Sequence, residues 1–491
     1  MNAARGVIHR LQTGVPGLDA VLGGGFPEYS FNLLAGAPGA GKTTLAHQLM
    51  FALATPERPA LYFTVLGEPP VKMLRYQQQF DFFDAAFVNR TVRYVSLGDE
   101  MQAGNLDQVL RRIEAEVERH APGLVFVDSF RSLVAPTLAE DTSSVSRQQF
   151  IQHLGMLMTG WQATSFLIGE YQADSDLNPI FTVADGLIWL RQSVERNSVV
   201  RKMEVMKMRG QATLPGLHTF RISSAGIQVF APPPLQALPE NGASEPVHSR
   251  LGMGVRGLDE MMGGGLPRGY SLLVAGPSGS GKSILAAAFL LEGARRGETG
   301  VIAAFEQRPT QSRGPAITEL VRTGRIGVVD TRAATLSVDE ISSLLIAEVR
   351  RLKATRVVID SLSGFELALA PTFREDFRES LSRMVAALAG TGTTVLMTSE
   401  LEDRYTELRF SPYGTAFLTD AIIVQRYTEV DSRLRRVIAV AKVRASAHSD
   451  QLREFHIDGE GLQLDGPLVD QEGLLGGTPT RRPRPGGPTG A

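Results

Sequence analysis

The chain repeats itself, and that repetition narrows its possible folds more than any other property. Residues 13–27 read TGVPGLDAVLGGGFP and residues 253–267 read MGVRGLDEMMGGGLP, a displacement of 240 residues. The glycine-rich run GAPGAGKT at 36–43 returns as GPSGSGKS at 276–283 with the same displacement. Farther along, LVFVDS at 124–129 answers to VVIDS at 357–361, and VMKMRG at 205–210 to VAKVRA at 440–445. One motif order kept through two long copies predicts two domains of one architecture. A length of 491 residues, too great for a single core, agrees.

The boundaries follow from composition. Residues 1–230 form the first domain and 250–465 the second, with the Pro-rich stretch APPPLQALPENGASEPVHS at 231–249 as linker. From 466 to 491 Gly and Pro dominate without a helical or strand period, which predicts a disordered tail. Within each copy, short apolar strands alternate with longer amphipathic segments: SFNLLAG precedes KTTLAHQLMFALA, and LYFTVLG precedes VKMLRYQQQF. That alternation predicts an α/β fold with a mainly parallel sheet flanked by helices, whose ligands sit beyond the carboxyl ends of the strands.

The complete absence of cysteine excludes disulfides, thiolate catalysis, Cys-type zinc sites and iron–sulfur clusters. Fifty basic residues against 52 acidic ones leave a net charge of −2, so no global positive field draws in nucleic acid. No stretch reaches the roughly 18 apolar residues of a membrane span. The expectation is a soluble cytoplasmic protein without a membrane partner.

The two glycine-rich runs carry the chemistry. Each follows an apolar strand and opens a helix, which is the setting of a phosphate-binding loop, or Walker A motif. The glycines let successive backbone N–H groups point into one concavity, and the helix N-terminus adds partial positive charge. Nucleotide-binding residues are therefore expected at Gly36, Gly39, Ala40, Gly41, Lys42, Thr43 and Thr44, and at Gly276, Gly279, Ser280, Gly281, Lys282 and Ser283. Lys42 and Lys282 would bridge the β- and γ-phosphates of ATP, while Thr43 and Ser283 would complete a Mg2+ shell. Such a site needs an acid at the end of a neighbouring strand. Asp128 and Asp360, which end LVFVD and VVID, supply it. Glu68 and Glu306 come at the end of the strand that follows the phosphate-loop helix in each copy and are placed to orient an attacking water.

Gly-Leu-Asp and Gly-Gly-Gly before the phosphate loop, Asp-Ser after an apolar strand and Lys-x-Arg near the end of each copy together resemble the KaiC family within the RecA-like P-loop ATPases. The resemblance covers nearly all of residues 10–465. It implies a ring, a homo-hexamer with nucleotide held between neighbouring subunits, and a protein signalling partner that senses the ring's state. Lys207 and Arg209, with Lys442 and Arg444, match the family's Lys-x-Arg that reaches the neighbour's γ-phosphate, and the two arginines have no evident use within their own subunit. The family carries two adjacent glutamates after the second strand; each half here keeps one. Its autophosphorylated Ser-Thr pair is replaced by Ala416 and Phe417, with Thr415 and Thr419 nearby, which demotes a serine/threonine autokinase below hydrolysis to ADP and phosphate. Two rival classes are a RecA-type DNA-associated ATPase and a non-catalytic nucleotide-gated scaffold. Against the first, residues 140–149 (EDTSSVSRQQ) carry a single arginine.

Overall fold

A computed structural model describes residues 8–65, 70–102, 106–129, 144–171, 179–195, 198–232, 249–305, 314–329, 331, 336–369, 377–401, 418–430 and 432–467, with the short pieces 471–472 and 480–481. The chain divides into two compact units, Met1–Ala231 and Pro232–Ala491. Each is built on a nine-stranded sheet.

In the first unit the strand Phe31–Gly36 is central, hydrogen-bonded in parallel to Thr164–Glu170 on one side and Gly186–Glu195 on the other. Leu124–Asp128, Ala60–Thr64 and Val92–Ser96 continue the parallel part outward. On the opposite side Ser198–Met208, Leu217–Ser223 and Gly226–Phe230 add an antiparallel meander. The second unit repeats this order strand for strand around Ser271–Gly276. Tight connections are possible between antiparallel neighbours only, so each parallel pairing needs a crossover, and the crossover helices cover both faces.

Side-chain alternation sorts the core into two layers. Leu34, Phe126 and Phe166 pack with Leu45 and Leu49 of the helix Lys42–Leu53 on one face. Leu33, Leu61 and Val125 pack with Ile113 and Leu154 on the other. The central strand FNLLAG is therefore buried at every position, as a strand covered on both faces must be. Leu285, Phe289 and their neighbours repeat the arrangement in the second unit, with Leu272 and Val274 on one face and Leu273 and Ala275 on the other.

The Gly-Leu-Asp motif is architectural. Asp19 Oδ1 accepts from the Thr13 amide at 2.9 Å and Asp259 Oδ1 from the Met253 amide at 2.7 Å, closing the same loop in each unit. Beyond residue 465 the described residues, 466–467, 471–472 and 480–481, are in strands. The last strand of the nine-stranded sheet, Gly461–Pro467, pairs with Arg453–Asp458 and packs Leu462 and Leu464 on the core, and Gln471–Glu472 pairs with Thr480–Arg481.

Candidate nucleotide site

Each glycine-rich loop joins the central strand to the first crossover helix. Gly39 (φ 78°) and Gly41 (φ 102°) lie in the left-handed region, as do Gly279 (75°) and Gly281 (101°), which L side chains rarely adopt. A Cβ at Gly41 would also stand 2.8 Å from Ile222 Cδ1, and one at Gly281 2.9 Å from Ile457 Cδ1. Neither helix has a side-chain cap at its N-terminus, so the first-turn N–H groups point into the loop's concavity.

The lysine ammonium groups lie across their own loops. Lys42 Nζ donates to the Ala37 carbonyl at 2.9 Å, and Lys282 Nζ to those of Gly276 and Pro277 at 2.9 and 2.7 Å. Burial lowers the Lys42 pKa, while the negative charges of Glu170 and Asp128 pull it back up. Thr43 Oγ1 donates to Asp128 Oδ2 at 2.9 Å, joining the loop to a strand two places away in the sheet. In the second unit Ser278, Gly279, Gly281, Lys282, Ser283, Asp360 and Glu400 line one cavity of about 240 Å³. In each unit the loop lysine, the hydroxyl after it and the strand-end aspartate lie close together.

Around Asp128 the electrostatics are opposed. Burial raises its pKa, hydrogen bonds from Tyr62 and Thr43 and the charge of Lys42 lower it, and Glu170 raises it again. Tyr62 OH donates to the same Oδ2 at 2.7 Å, and burial together with the carboxylate pushes the phenol pKa well up. Its ring stands 4.5 Å from that of His47, which burial holds down at a pKa of about 4. The neutral imidazole's Nδ1 is 2.8 Å from the Thr43 carbonyl, which can only accept, so Nδ1 carries the proton.

A family model described as the KaiC ATPase matches residues 11–233 and again 251–467. The chain belongs to the KaiC ATPase family. Similar over nearly full length are the circadian clock oscillator protein KaiC of Rippkaea orientalis, 27% identical and covering 98% of this chain and 93% of that one, and its namesake from Synechococcus elongatus, 25% identical with the same coverages. The circadian clock protein KaiC3 of a Synechocystis species is 27% identical, covering 96% and 95%. The two sheets are accordingly tandem RecA-like domains of a nucleotide-binding KaiC-family ATPase.

The Lys-x-Arg pairs of this KaiC-family chain correct one sequence expectation. Far from lacking partners in their own subunit, Arg209 pairs with Asp185 at 3.1 Å and Arg444 with Asp420 at 3.0 Å. Arg209 also donates to the Thr182 carbonyl, Lys207 to those of Phe181 and Thr182, and Lys442 to that of Thr419. Both guanidinium side chains remain more than half exposed, at 57 and 59%. The sheet register explains the match: the amide of each arginine donates to the aspartate's own carbonyl as well. Glu68, Glu306, Thr415, Ala416 and Phe417 lie outside the described residues. Thr419 is fully buried.

Four residues near the loops escaped sequence reasoning. Glu170 and Glu400 end the strand beside the central one, each opposite the last residue of that strand, Gly36 or Gly276. Their signal was available: SFLIGE at 165–170 and VLMTSE at 395–400 end alike. Tyr62 and Thr398 had no such signal, because they do the same work from different strands. Thr398 Oγ1 donates to Asp360 Oδ1, whereas Asp128 faces Ile168 at the matching register position and takes its hydrogen bond from Tyr62 instead.

Proposed function

We propose that this protein binds two ATP molecules per chain with Mg2+, hydrolyses them at subunit interfaces of a cytoplasmic homo-hexamer, and uses the turnover to drive a timing or signalling change that a partner protein senses. The observation that carries the reading is the Thr43–Asp128 hydrogen bond beneath a glycine loop that also holds Lys42, with Ser283, Asp360 and Lys282 around one cavity in the second unit. This donor set fits magnesium. Mg2+ is held by one or two carboxylates, a hydroxyl, waters and substrate phosphates and needs no all-protein cage, and among the described residues no cluster of three or more His, Cys, Asp or Glu forms one.

Lys42 and Lys282 would place positive charge against the β- and γ-phosphates, and Gly39 to Thr43 and Gly279 to Ser283 would direct backbone N–H groups at them. Thr43, Ser283, Asp128 and Asp360 would hold the metal, which when bound neutralises charge on the phosphate oxygens. Glu68 and Glu306 would orient the attacking water. Lys207, Arg209, Lys442 and Arg444 would present cations to the neighbouring subunit's γ-phosphate. The anchoring of Arg209 and Arg444 by aspartates supports this role, because a guanidinium held in place loses less freedom on meeting phosphate. Water is the favoured acceptor, since Ala416 and Phe417 carry no hydroxyl and Thr419 is buried.

Titration calorimetry with a non-hydrolysable magnesium–ATP analogue should give two sites per chain, and γ-labelled ATP should yield free phosphate with no label on protein. Saturation at one per chain, or stoichiometric labelling of Thr415 or Thr419, would refute the reading.

A further inference from the structure

The two metal-side aspartates occupy the same place in two copies of one fold, yet their surroundings differ in kind. Behind Asp128 stands a polar aromatic cluster. Tyr62 is fully buried, with ring centroids of His47 at 4.5 Å, Tyr94 at 5.4 Å and Phe126 at 5.9 Å. In the second unit the matching positions hold Ala287, Ile302 and Val328, all aliphatic. The hydroxyl that holds Asp360 arrives instead from Thr398.

We infer that Tyr62 is a positioning residue of the first nucleotide site, orienting Asp128 toward the metal side as Thr398 orients Asp360 in the second. Among the described residues, both side-chain hydrogen bonds to Asp128 arrive on Oδ2, from Tyr62 at 2.7 Å and Thr43 at 2.9 Å. Two donors on one oxygen fix the carboxylate's rotation, which neither donor alone does. The tyrosine is itself held. His47 lies tilted against its ring, at 31° between planes, and bonds the Thr43 carbonyl at 2.8 Å, which ties the phenol through the imidazole to the start of the loop helix. An ordinary core tyrosine would need any polar partner; this one takes the acid expected to face magnesium. Partners that orient a metal's ligands tune its affinity.

The inference rests on the nucleotide reading above, and its test separates the two. In full-length protein carrying Lys282→Ala, so that only the first site responds, a fluorescent ATP analogue is titrated with magnesium and, separately, in excess EDTA. Tyr62→Phe keeps the ring and removes the hydroxyl. The magnesium concentration at half-saturation should rise about three- to tenfold, at or below the lower end of the effect of outer-shell partners, with metal-free binding unchanged. Tyr62→Phe/Ile168→Thr, which supplies a hydroxyl from the position of Thr398, should recover the original requirement. In a Lys42→Ala background, Tyr62→Phe should leave the second site alone while Thr398→Val raises its magnesium requirement. An unchanged half-saturation in Tyr62→Phe, or equal weakening with and without magnesium, would overturn the inference and leave the nucleotide site standing. No binding at all by the Lys282→Ala protein would overturn both.

Discussion

The two halves show what duplication preserves and what it releases. Both keep the loop glycines in left-handed backbone, the lysine lying on loop carbonyls and the arginine paired with an aspartate one strand away. Behind that shared front the support differs. The first half buries His47 and Tyr62 with Tyr94 half-buried beside them, while the second packs aliphatic side chains there and buries Arg356 elsewhere, bonded to Glu298 at 2.6 Å and to the carbonyls of Gly252 and Phe289 at 2.8 Å. Surfaces that would touch nucleotide are held by the chemistry of phosphate. Groups one layer back need only supply a hydroxyl or fill a volume, and several solutions serve.

The most severe way to break the symmetry is at the glutamates. Glu306→Gln in a Lys42→Ala background, and Glu68→Gln in a Lys282→Ala background, should each retain nucleotide yet slow phosphate release about 10²–10⁴-fold, the cost of losing a general base. A full-rate Glu68 variant beside a slow Glu306 variant would show that the halves have divided chemistry from binding.

Next in size are the lysines themselves. Lys42→Ala and Lys282→Ala should each reduce calorimetric stoichiometry from two sites to one, with affinity at the altered site down about a hundredfold, near the 3 kcal/mol ceiling of a hydrogen bond to a charged group. Unequal losses would mean that the two fronts are less alike than their geometry.

A third experiment uses pH. With the His47 pKa depressed to about 4 by burial, the unfolded chain binds a proton that the folded one refuses as pH falls below about 6.5. Stability of the first half contributed by this group should be intact above that value and decline by up to about 3 kcal/mol toward pH 4. His47→Ala, which copies Ala287, should flatten that decline. Trp161 and Trp189, the chain's two tryptophans, both lie in the first half, so their fluorescence during urea unfolding reports that half alone. An unchanged acid slope would remove the buried imidazole from the comparison.

The smallest local effect belongs to the exposed arginines. Arg209→Ala and Arg444→Ala each break a surface ion pair and should alter unfolding by less than about 1 kcal/mol. Light scattering with ATP should nevertheless show weakened assembly in both. Assembly unaffected in either variant would confine that arginine to its own chain.

What could be read without coordinates was whatever the sequence writes contiguously. The duplication, the glycine loops, the strand-end aspartates and the α/β class each rest on neighbours along the chain or on a period of two or 3.6 residues, and backbone stereochemistry imposes those patterns locally. Tyr62, Ile168 and Thr398 could not be read this way. Tyr62 lies 66 residues from Asp128, and Thr398 38 residues from Asp360, on different neighbouring strands. Which of them meets the carboxylate is decided by strand order and register, and those follow from how the two faces of each sheet pack. Sequence alone determined that each half has a glycine-rich loop after one apolar strand and an acid at the end of another. Only the tertiary structure decided which hydroxyl holds that acid, because a hydrogen bond needs atoms within about 3 Å of each other, a distance that nonlocal packing alone establishes.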